Sequence, residues 1–358
     1  MAAQPKLQVG VIPGDGIGRE VTREAVKVLR TLDDLNIINV DVVQFKYGAE
    51  EYLQTGIAIP DDLISEFRKK YNAILLGAFG DPRIPDYKHA RIIQRKLRTQ
   101  LDLFLQHRPV HLLHAELTPM KNILPEKVQF ELFIDTTSGF HSNLGGVQSQ
   151  ANLGTLGLQE YIVSQEAIER FLRAVFEYAD QRELRRVVLA EKANLLKHAH
   201  GLWVRVFDNV RKDFNRIEAK HLSIDALIPL LFRDPSEFQV IATPQLFGDI
   251  LSEIGATIQG GIGMAATGYV NLKKFGVFKP IHGAAPSFAG KNVANPLGAV
   301  LAVQMMLESV GYPKIGKLVE DAVRYCIDHN WTTHDIGGSL GTDDVGDYVC
   351  QAIESLYK

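Results

Sequence analysis

The stretch Leu7-Gln-Val-Gly-Val-Ile-Pro-Gly-Asp-Gly-Ile-Gly18 decides the fold. Its first six residues are a short apolar run ending at Pro13-Gly14, the pattern of a buried strand closed by a turn. Behind it Val21, Ala25, Val26, Val28 and Leu29 recur at helical spacing, which predicts a helix over residues 19–32. Glycines between a strand and a helix invite a dinucleotide-binding reading. That fingerprint is G-x-G-x-x-G, however, and this stretch is G-x-G-x-G. No acidic residue closes a strand about 20 residues further on, where ribose recognition requires one. Taken alone, a tight structural turn accounts for these glycines as well as a phosphate cradle does.

Outward from this stretch, strands fit residues 39–45, 73–76, 108–113, 128–133, 186–190 and 239–242. Helices fit 61–69, 164–182, 200–214, 245–258, 296–310 and 315–329. Strands alternating with helices predict a largely parallel α/β sheet. A glycine-rich polar stretch from Gly145 to Gly157 reads as a hairpin projecting from the body. At 358 residues the chain exceeds the usual single domain, so two lobes are expected. A net charge of -3 gives no electrostatic case for nucleic acid or an anionic membrane. Two cysteines, Cys326 and Cys350, are too few for a disulfide framework and read as free thiols of a reducing compartment. The N-terminus lacks the features of a signal peptide, and no apolar run approaches the ~20 residues that span a bilayer. A cytoplasmic location is the expectation.

The segment Val11–Gly18, followed by Glu20-Val21, resembles the opening of the β-decarboxylating dehydrogenases, which include isopropylmalate, isocitrate, homoisocitrate and tartrate/malate dehydrogenases. Further motifs in the family's order extend the resemblance over nearly the whole chain. It implies an isopropylmalate dehydrogenase-like two-domain α/β fold that is not a Rossmann fold. Residues 1–110 and 260–358 would form the cofactor-binding domain. Residues 111–259 would form the substrate and dimerisation domain, with an arm near 141–161. It also implies a homodimer with shared active sites, in which Lys192 and Asp225 reach the neighbouring subunit's site.

Phe247-Gly-Asp-Ile-Leu-Ser-Glu253 places Asp249 and Glu253 on one helical face. Two such carboxylates repel unless a cation sits between them, and oxygen donors suit Mg2+ or Mn2+. By itself this pattern also describes a solvated acidic face; the resemblance makes it the family's metal-binding motif. The family has Asp where this chain has Glu253, which leaves open whether Glu253 binds metal directly. In His221-Leu-Ser-Ile-Asp225 the resemblance assigns Asp225 as a further metal ligand and acid–base partner. Glu191-Lys-Ala-Asn194 matches the family's Asp-Lys-Ala-Asn, which makes Lys192 the proton-transfer group at the substrate hydroxyl. Arg98 and Arg108 match the two carboxylate-binding arginines, and guanidinium forks suit that task.

Departures from the family pattern carry as much information. Upstream of Arg98 stand Arg91, Gln94 and Arg95, where isopropylmalate enzymes carry an acid and leucines. Together with Gly80-Asp-Pro-Arg-Ile-Pro-Asp86, which looks like the tartrate/malate branch, this points to a small malate-type hydroxy acid with a polar or anionic substituent. In Phe133–His141, Ile134 holds the position of a third substrate arginine and His141 that of the catalytic tyrosine. Two readings remain open: His141 replaces the tyrosine as acid, or the chain is a catalytically impaired regulatory or ligand-binding homologue. His282-Gly-Ala-Ala-Pro286 and Asn295-Pro296 resemble the adenosine-binding loop. The resemblance gives His282, Gly283, Ala285, Ser287, Asn295 and Gly263 as cofactor contacts. Ser287 brings neither the Asp of NAD-linked members nor the Lys of NADP-linked ones, which favours NAD with NADP as the alternative. His198 and His200 read as solvated helix-start residues, because nothing beside them completes a zinc site.

Overall fold

The computed structural model describes residues 6–140, 144–150, 152–271 and 275–357. The chain begins β1 (Leu7–Gly14), α1 (Gly18–Asp34), β2 (Val40–Gln44), α2 (Ala49–Thr55), α3 (Asp61–Lys70), β3 (Ala73–Ala78) and α4 (Lys88–Gln100). It continues β4 (Leu105–His111), β5 (Gln129–Asp135), β6 (Gly145–Gln150), β7 (Gly154–Gln159), α5 (Gln165–Gln181), β8 (Arg186–Glu191) and α6 (Ala199–Val210). Next come β9 (Glu218–Ser223), α7 (Ile224–Arg233), β10 (Val240–Thr243) and α8 (Gln245–Ile258). The last elements are β11 (Ala266–Val270), β12 (Gly276–Pro280), α9 (Leu297–Ser309), α10 (Pro313–Asp328) and α11 (Thr342–Tyr357).

These elements form two compact units. The first takes Met1–Leu103, Leu112–Lys121 and Ala256–Lys358; the second takes Phe104–His111 and Asn122–Gly255. In the first unit the strand order is β2-β1-β3-β12-β11. All neighbours pair in parallel except β11 with β12. β3, Ala-Ile-Leu-Leu-Gly-Ala, is buried throughout, as a central parallel strand covered on both faces must be. Helix α1 buries a stripe of Val21, Ala25, Val28, Leu29 and Leu32. Helix α9 is buried almost all round, from Leu297 to Leu307, so it forms the inside of this core.

In the second unit the order is β4-β5-β10-β8-β9, parallel except β4 with β5. Its core is aromatic: Phe171 meets Trp203 edge-on at 5.6 Å, and Phe176 packs against Phe207 at the same separation. β6 and β7 make a separate antiparallel hairpin, Gly145 pairing with Gln159. Val147 and Leu158 on it are 77% and 60% exposed. No helix among the described residues is long and apolar enough to cross a membrane.

The largely parallel sheet and the hairpin agree with the sequence reading. Three further features were not foreseen there. Helix α11 carries Gly346, a helix-weakening residue. A Cβ there would lie 2.1 Å from Glu24 Oε2, so glycine is what lets α1 and α11 approach. Helix α7 contains Pro229. The helix anticipated over residues 200–214 ends at Val210 and continues as a 3-10 turn, Arg211–Asp213.

The glycines of the opening stretch serve backbone contact. Gly14 has φ +75°, and a Cβ on it would lie 2.1 Å from the Ala78 carbonyl oxygen. Gly16 has φ +54°, and its Cβ would lie 2.0 Å from the Ala284 carbonyl oxygen. Ile17 N donates to that same Ala284 oxygen at 2.8 Å. Asp15, 2% exposed, then gathers three segments. Its carboxylate accepts from Ala49 N at 2.6 Å, Gly80 N at 2.9 Å and His89 Nε2 at 2.7 Å. Replacing Asp15 by Ala leaves those three buried donors without an acceptor, each costing about 1–3 kcal/mol. The expected loss is therefore ~3–9 kcal/mol in urea unfolding, far beyond an exposed Asp→Ala change such as at Asp34.

Candidate active site

In the first unit, α4 buries Ala90, Ile93 and Leu97. Arg91, Gln94, Arg95 and Arg98 follow the i, i+3, i+4, i+7 spacing and form the opposite face. Of these, Arg91, Gln94 and Arg95 are exposed and Arg98 is half-buried. Three guanidinium groups on one face suit an anionic ligand. Arg83, just ahead of α4, is held instead by Asp81 at 2.7 Å and by Glu50. Asp86 and Tyr87 enter the helix with φ of 53° and 50°, a left-handed pair unusual for non-glycine residues.

The cofactor residues foreseen in the sequence lie in the same unit. His282 is buried, and burial pushes its imidazole down to a pKa of about 4. Its Nδ1 faces the Gly283 carbonyl oxygen at 3.0 Å, while Nε2 is buried with no hydrogen-bond partner. An unpartnered ring nitrogen beside Gly283, around whose Cα there is open space, fits an adenine edge. Ala285 has φ 37°, a strained turn residue. Ser287 is exposed. Asn295 is engaged structurally: Oδ1 accepts from Leu297 N at 2.9 Å at the start of α9, and Nδ2 donates to Asp335 at 3.1 Å. Gly263 packs against this pair, since a Cβ on it would lie 2.8 Å from Asp335 Oδ2 and 3.1 Å from Asn295 Cβ.

In the second unit Lys192 follows β8, and its ammonium forms an ion pair with Asp225 in the first turn of α7. That ammonium holds the Asp225 carboxyl below the usual carboxylate range. Lys192 N donates to His200 Nδ1 at 3.0 Å. His200 is 1% exposed, and burial lowers its pKa to about 4. This corrects the expectation of a solvated histidine: His200 is a neutral, buried acceptor that fixes the backbone of Lys192. The eight-residue spacing Lys192…His200 was the available signal. Glu191 is likewise buried, and its carboxylate accepts from Ala193 N.

On α8, Leu246, Asp249, Ile250 and Glu253 share one exposed face. Asp249 Oδ2 accepts from Gln245 Nε2 at 2.7 Å. Two carboxylates there fit part of a Mg2+ or Mn2+ site, which wants about six oxygens. No group of three metal-capable side chains occurs among the described residues. The anticipated trio of Asp225, Asp249 and Glu253 is therefore not assembled within one chain: Asp225 faces Lys192 instead. Ile134 is fully buried, and a Cβ on Gly248 would lie 2.4 Å from its Cγ2, so at this position the chain packs β5 against α8. Arg108 stands half-buried on β4, opposite Leu132 of β5. Arg98 and Arg108 belong to different units. His141 lies outside the described residues.

Residues 8–349 match the family described as isocitrate/isopropylmalate dehydrogenase. The chain belongs to this family. A 3-isopropylmalate dehydrogenase of Thermobifida fusca is 33% identical over 97% of this chain and 98% of its own length. A homoisocitrate dehydrogenase of Methanocaldococcus jannaschii is 31% identical over 98% of this chain and 99% of its own. The crystal structure of isocitrate dehydrogenase from Methylococcus capsulatus superposes with a TM-score of 0.85 at 26% identity, covering 97% of this chain and 99% of that one. The fold is thus that of isocitrate/isopropylmalate dehydrogenases, and the chain is an oxidoreductase of the isopropylmalate dehydrogenase-like kind. Dependence on NAD and a divalent metal is typical of this family.

His200 and His282 bind a proton less readily folded than unfolded, since about 4 lies below the free histidine value of 6.5. The unfolded chain takes up protons first, so their contribution is complete above pH ~6.5 and is lost as pH falls towards 4. Each such shift corresponds to on the order of 3 kcal/mol. Thermal unfolding across this range is expected to flatten in His200→Gln, and an unchanged pH slope would contradict the assignment.

Proposed function

We propose that this family member oxidises a malate-type 2-hydroxy acid bearing a polar or anionic substituent, with NAD or NADP and Mg2+ or Mn2+, followed by decarboxylation. One observation carries the substrate class: Arg91, Gln94, Arg95 and Arg98 occupy a single face of α4. An apolar isopropyl group beside three guanidinium ions would leave them poorly solvated and uncompensated.

The chain's own residues divide the work. Arg98 and Arg108 hold the substrate's carboxylates and fix its orientation. Asp249, with Glu253 and the Asp225 of a second subunit, would hold the metal; Lys192 and Asp225 move the hydroxyl proton, their ion pair providing the relay. When bound, the metal polarises the substrate oxygen and the nicotinamide accepts the hydride. His282 and the turn around Gly283 and Ala285 receive the adenosine end.

The reading includes a homodimer. Leu246 and Ile250, 40% and 47% exposed, alternate with Asp249 and Glu253 on the same face of α8. Leu230 and Phe232 on α7 are also exposed, at 37% and 47%. Exposed apolar side chains beside the Asp249 and Glu253 carboxylates suit a second copy that covers them and supplies the further metal ligand.

Three measurements test the proposal. Reduced nicotinamide should accumulate when Mn2+, NAD or NADP and tartrate or isocitrate are supplied, and EDTA should abolish it; efficient turnover of isopropylmalate alone would reject the substrate class. Arg95→Leu should shift selectivity towards isopropylmalate by about tenfold or more, the worth of one charge-assisted contact. The double change Leu246→Asp with Ile250→Asp should give an inactive monomer in light scattering; an active monomer would refute the shared site. The impaired-homologue reading rests on Ile134 being core rather than a substrate arginine. Activity that survives His141→Ala would remove His141 from the chemistry.

A further inference from the structure

Beside the substrate face of α4 lies a small cavity of about 30 Å³, wholly within the first unit. Its floor is apolar, made of Leu76, Leu97, Leu103 and Val277. Its remaining walls are Gln94, Arg98, Tyr269 and Lys279. Two of these, Gln94 and Arg98, belong to the α4 face just described. The other two come from β11 and β12.

Strand geometry explains why Tyr269 and Lys279 arrive there. Thr267 pairs with Lys279 and Tyr269 with Val277 across the β11–β12 ladder. Side chains two apart on a strand share a face, so Lys279 joins Val277 and Tyr269 on one side. Val277 pairs with Ile74 of β3, and the alternation carries that side on to Leu76. Ile74, Leu76, Val277, Ile93 and Leu97 share one core cluster, which places α4 over this side of the sheet. Lys279 therefore reaches the α4 side from the end of β12, three residues before His282. Its ammonium donates to the Pro280 carbonyl oxygen at 2.5 Å, which anchors the charge at the strand's end. Burial lowers the His282 pKa, and the Lys279 charge lowers it further. The lysine thus stands between the substrate helix and the adenosine loop.

Resting on the reading under Proposed function, we infer that Lys279 is a specificity-determining residue that binds an anionic group of the substrate's C3 substituent jointly with Arg98. A second cation beside Arg98 gives a site for a third acid group, beyond the two carboxylates of a malate core. An apolar floor under a cationic rim suits a methylene carrying an acid. A branched alkyl group would bring no charge to the rim and would displace its solvent. The substrate class is accordingly a 3-substituted malate whose substituent ends in an acid group.

The experiment compares full-length wild type, Lys279→Met and Lys279→Arg, with Mn2+ and either nicotinamide cofactor. Isocitrate serves as the probe with an acid substituent, tartrate with a hydroxyl and isopropylmalate with an alkyl group; melting temperatures confirm folding. In Lys279→Met the ratio of kcat/KM for isocitrate to that for isopropylmalate should fall about 30-fold, mainly through KM, and Lys279→Arg should restore it to within about threefold. An unchanged ratio, or equal loss on all substrates, overturns the inference while wild-type turnover leaves the broader reading standing. If wild type turns over none of the three, that reading fails, and calorimetry of isocitrate with Mn2+ decides the lysine's role. Binding weakened at least tenfold by Lys279→Met but not by Lys279→Arg upholds it; equal binding, or none to wild type, overturns it.

Discussion

Everything in the first unit hangs on one buried carboxylate. Asp15 holds the loop after β1, the start of α2, the turn after β3 and the first turn of α4 by three hydrogen bonds. The neighbouring glycines let Ala78 and Ala284 come within backbone contact of the same loop. A charged group removed from water must have its acceptor capacity filled, so these segments are drawn to a fixed place. Helix α4 and the loop around Ala284 are both tied to that point, the former through His89 and the latter through the Ala284 carbonyl. Binding groups supplied by segments far apart in sequence are thereby held on a common rigid centre, as accurate placement demands.

This also shows how much of the molecule was legible in the sequence. The alternation of strands and helices was readable because apolar periodicity marks elements that bury a face, as in α1 and β3. Helix α11 escaped because its Gly346 and acidic first turn look like a loop; only the contact with Glu24 reveals why glycine belongs there. The failed G-x-G-x-x-G match was readable as a warning, but the partners of Gly14 and Gly16 lie as far away as residue 284. Arg98, Lys192 and Asp249 could be picked out by motif. Lys279 and His200 could not, since one acts through strand alternation across three strands and the other through burial that no local pattern announces. The Asn295 contacts were equally hidden: its side chain accepts from Leu297 N at the start of α9 and meets Asp335, forty residues away.

The second unit carries the groups to which the proposed function gives proton transfer and metal binding. Lys192 has its backbone held by a buried histidine and its ammonium held by Asp225. Asp249 and Glu253 sit one turn apart on a face that also carries exposed aliphatic residues. On the proposed reading, completion of the metal site depends on what covers that helix face. The arginine-bearing face of α4 belongs to the other unit.

The docking of Ile17 and Gly16 on the Ala284 carbonyl has a kinetic consequence. A chain leaving the ribosome makes β1 and α1 long before their partner loop and the covering α9 and α11. The second unit draws on nearly contiguous residues, Phe104–His111 and Asn122–Gly255, and can close while the rest is still being made. The first unit must wait with an apolar helix uncovered, and its long-range closure is the slow step. The nascent β1–α1 segment is thus the part that most needs shelter during biogenesis.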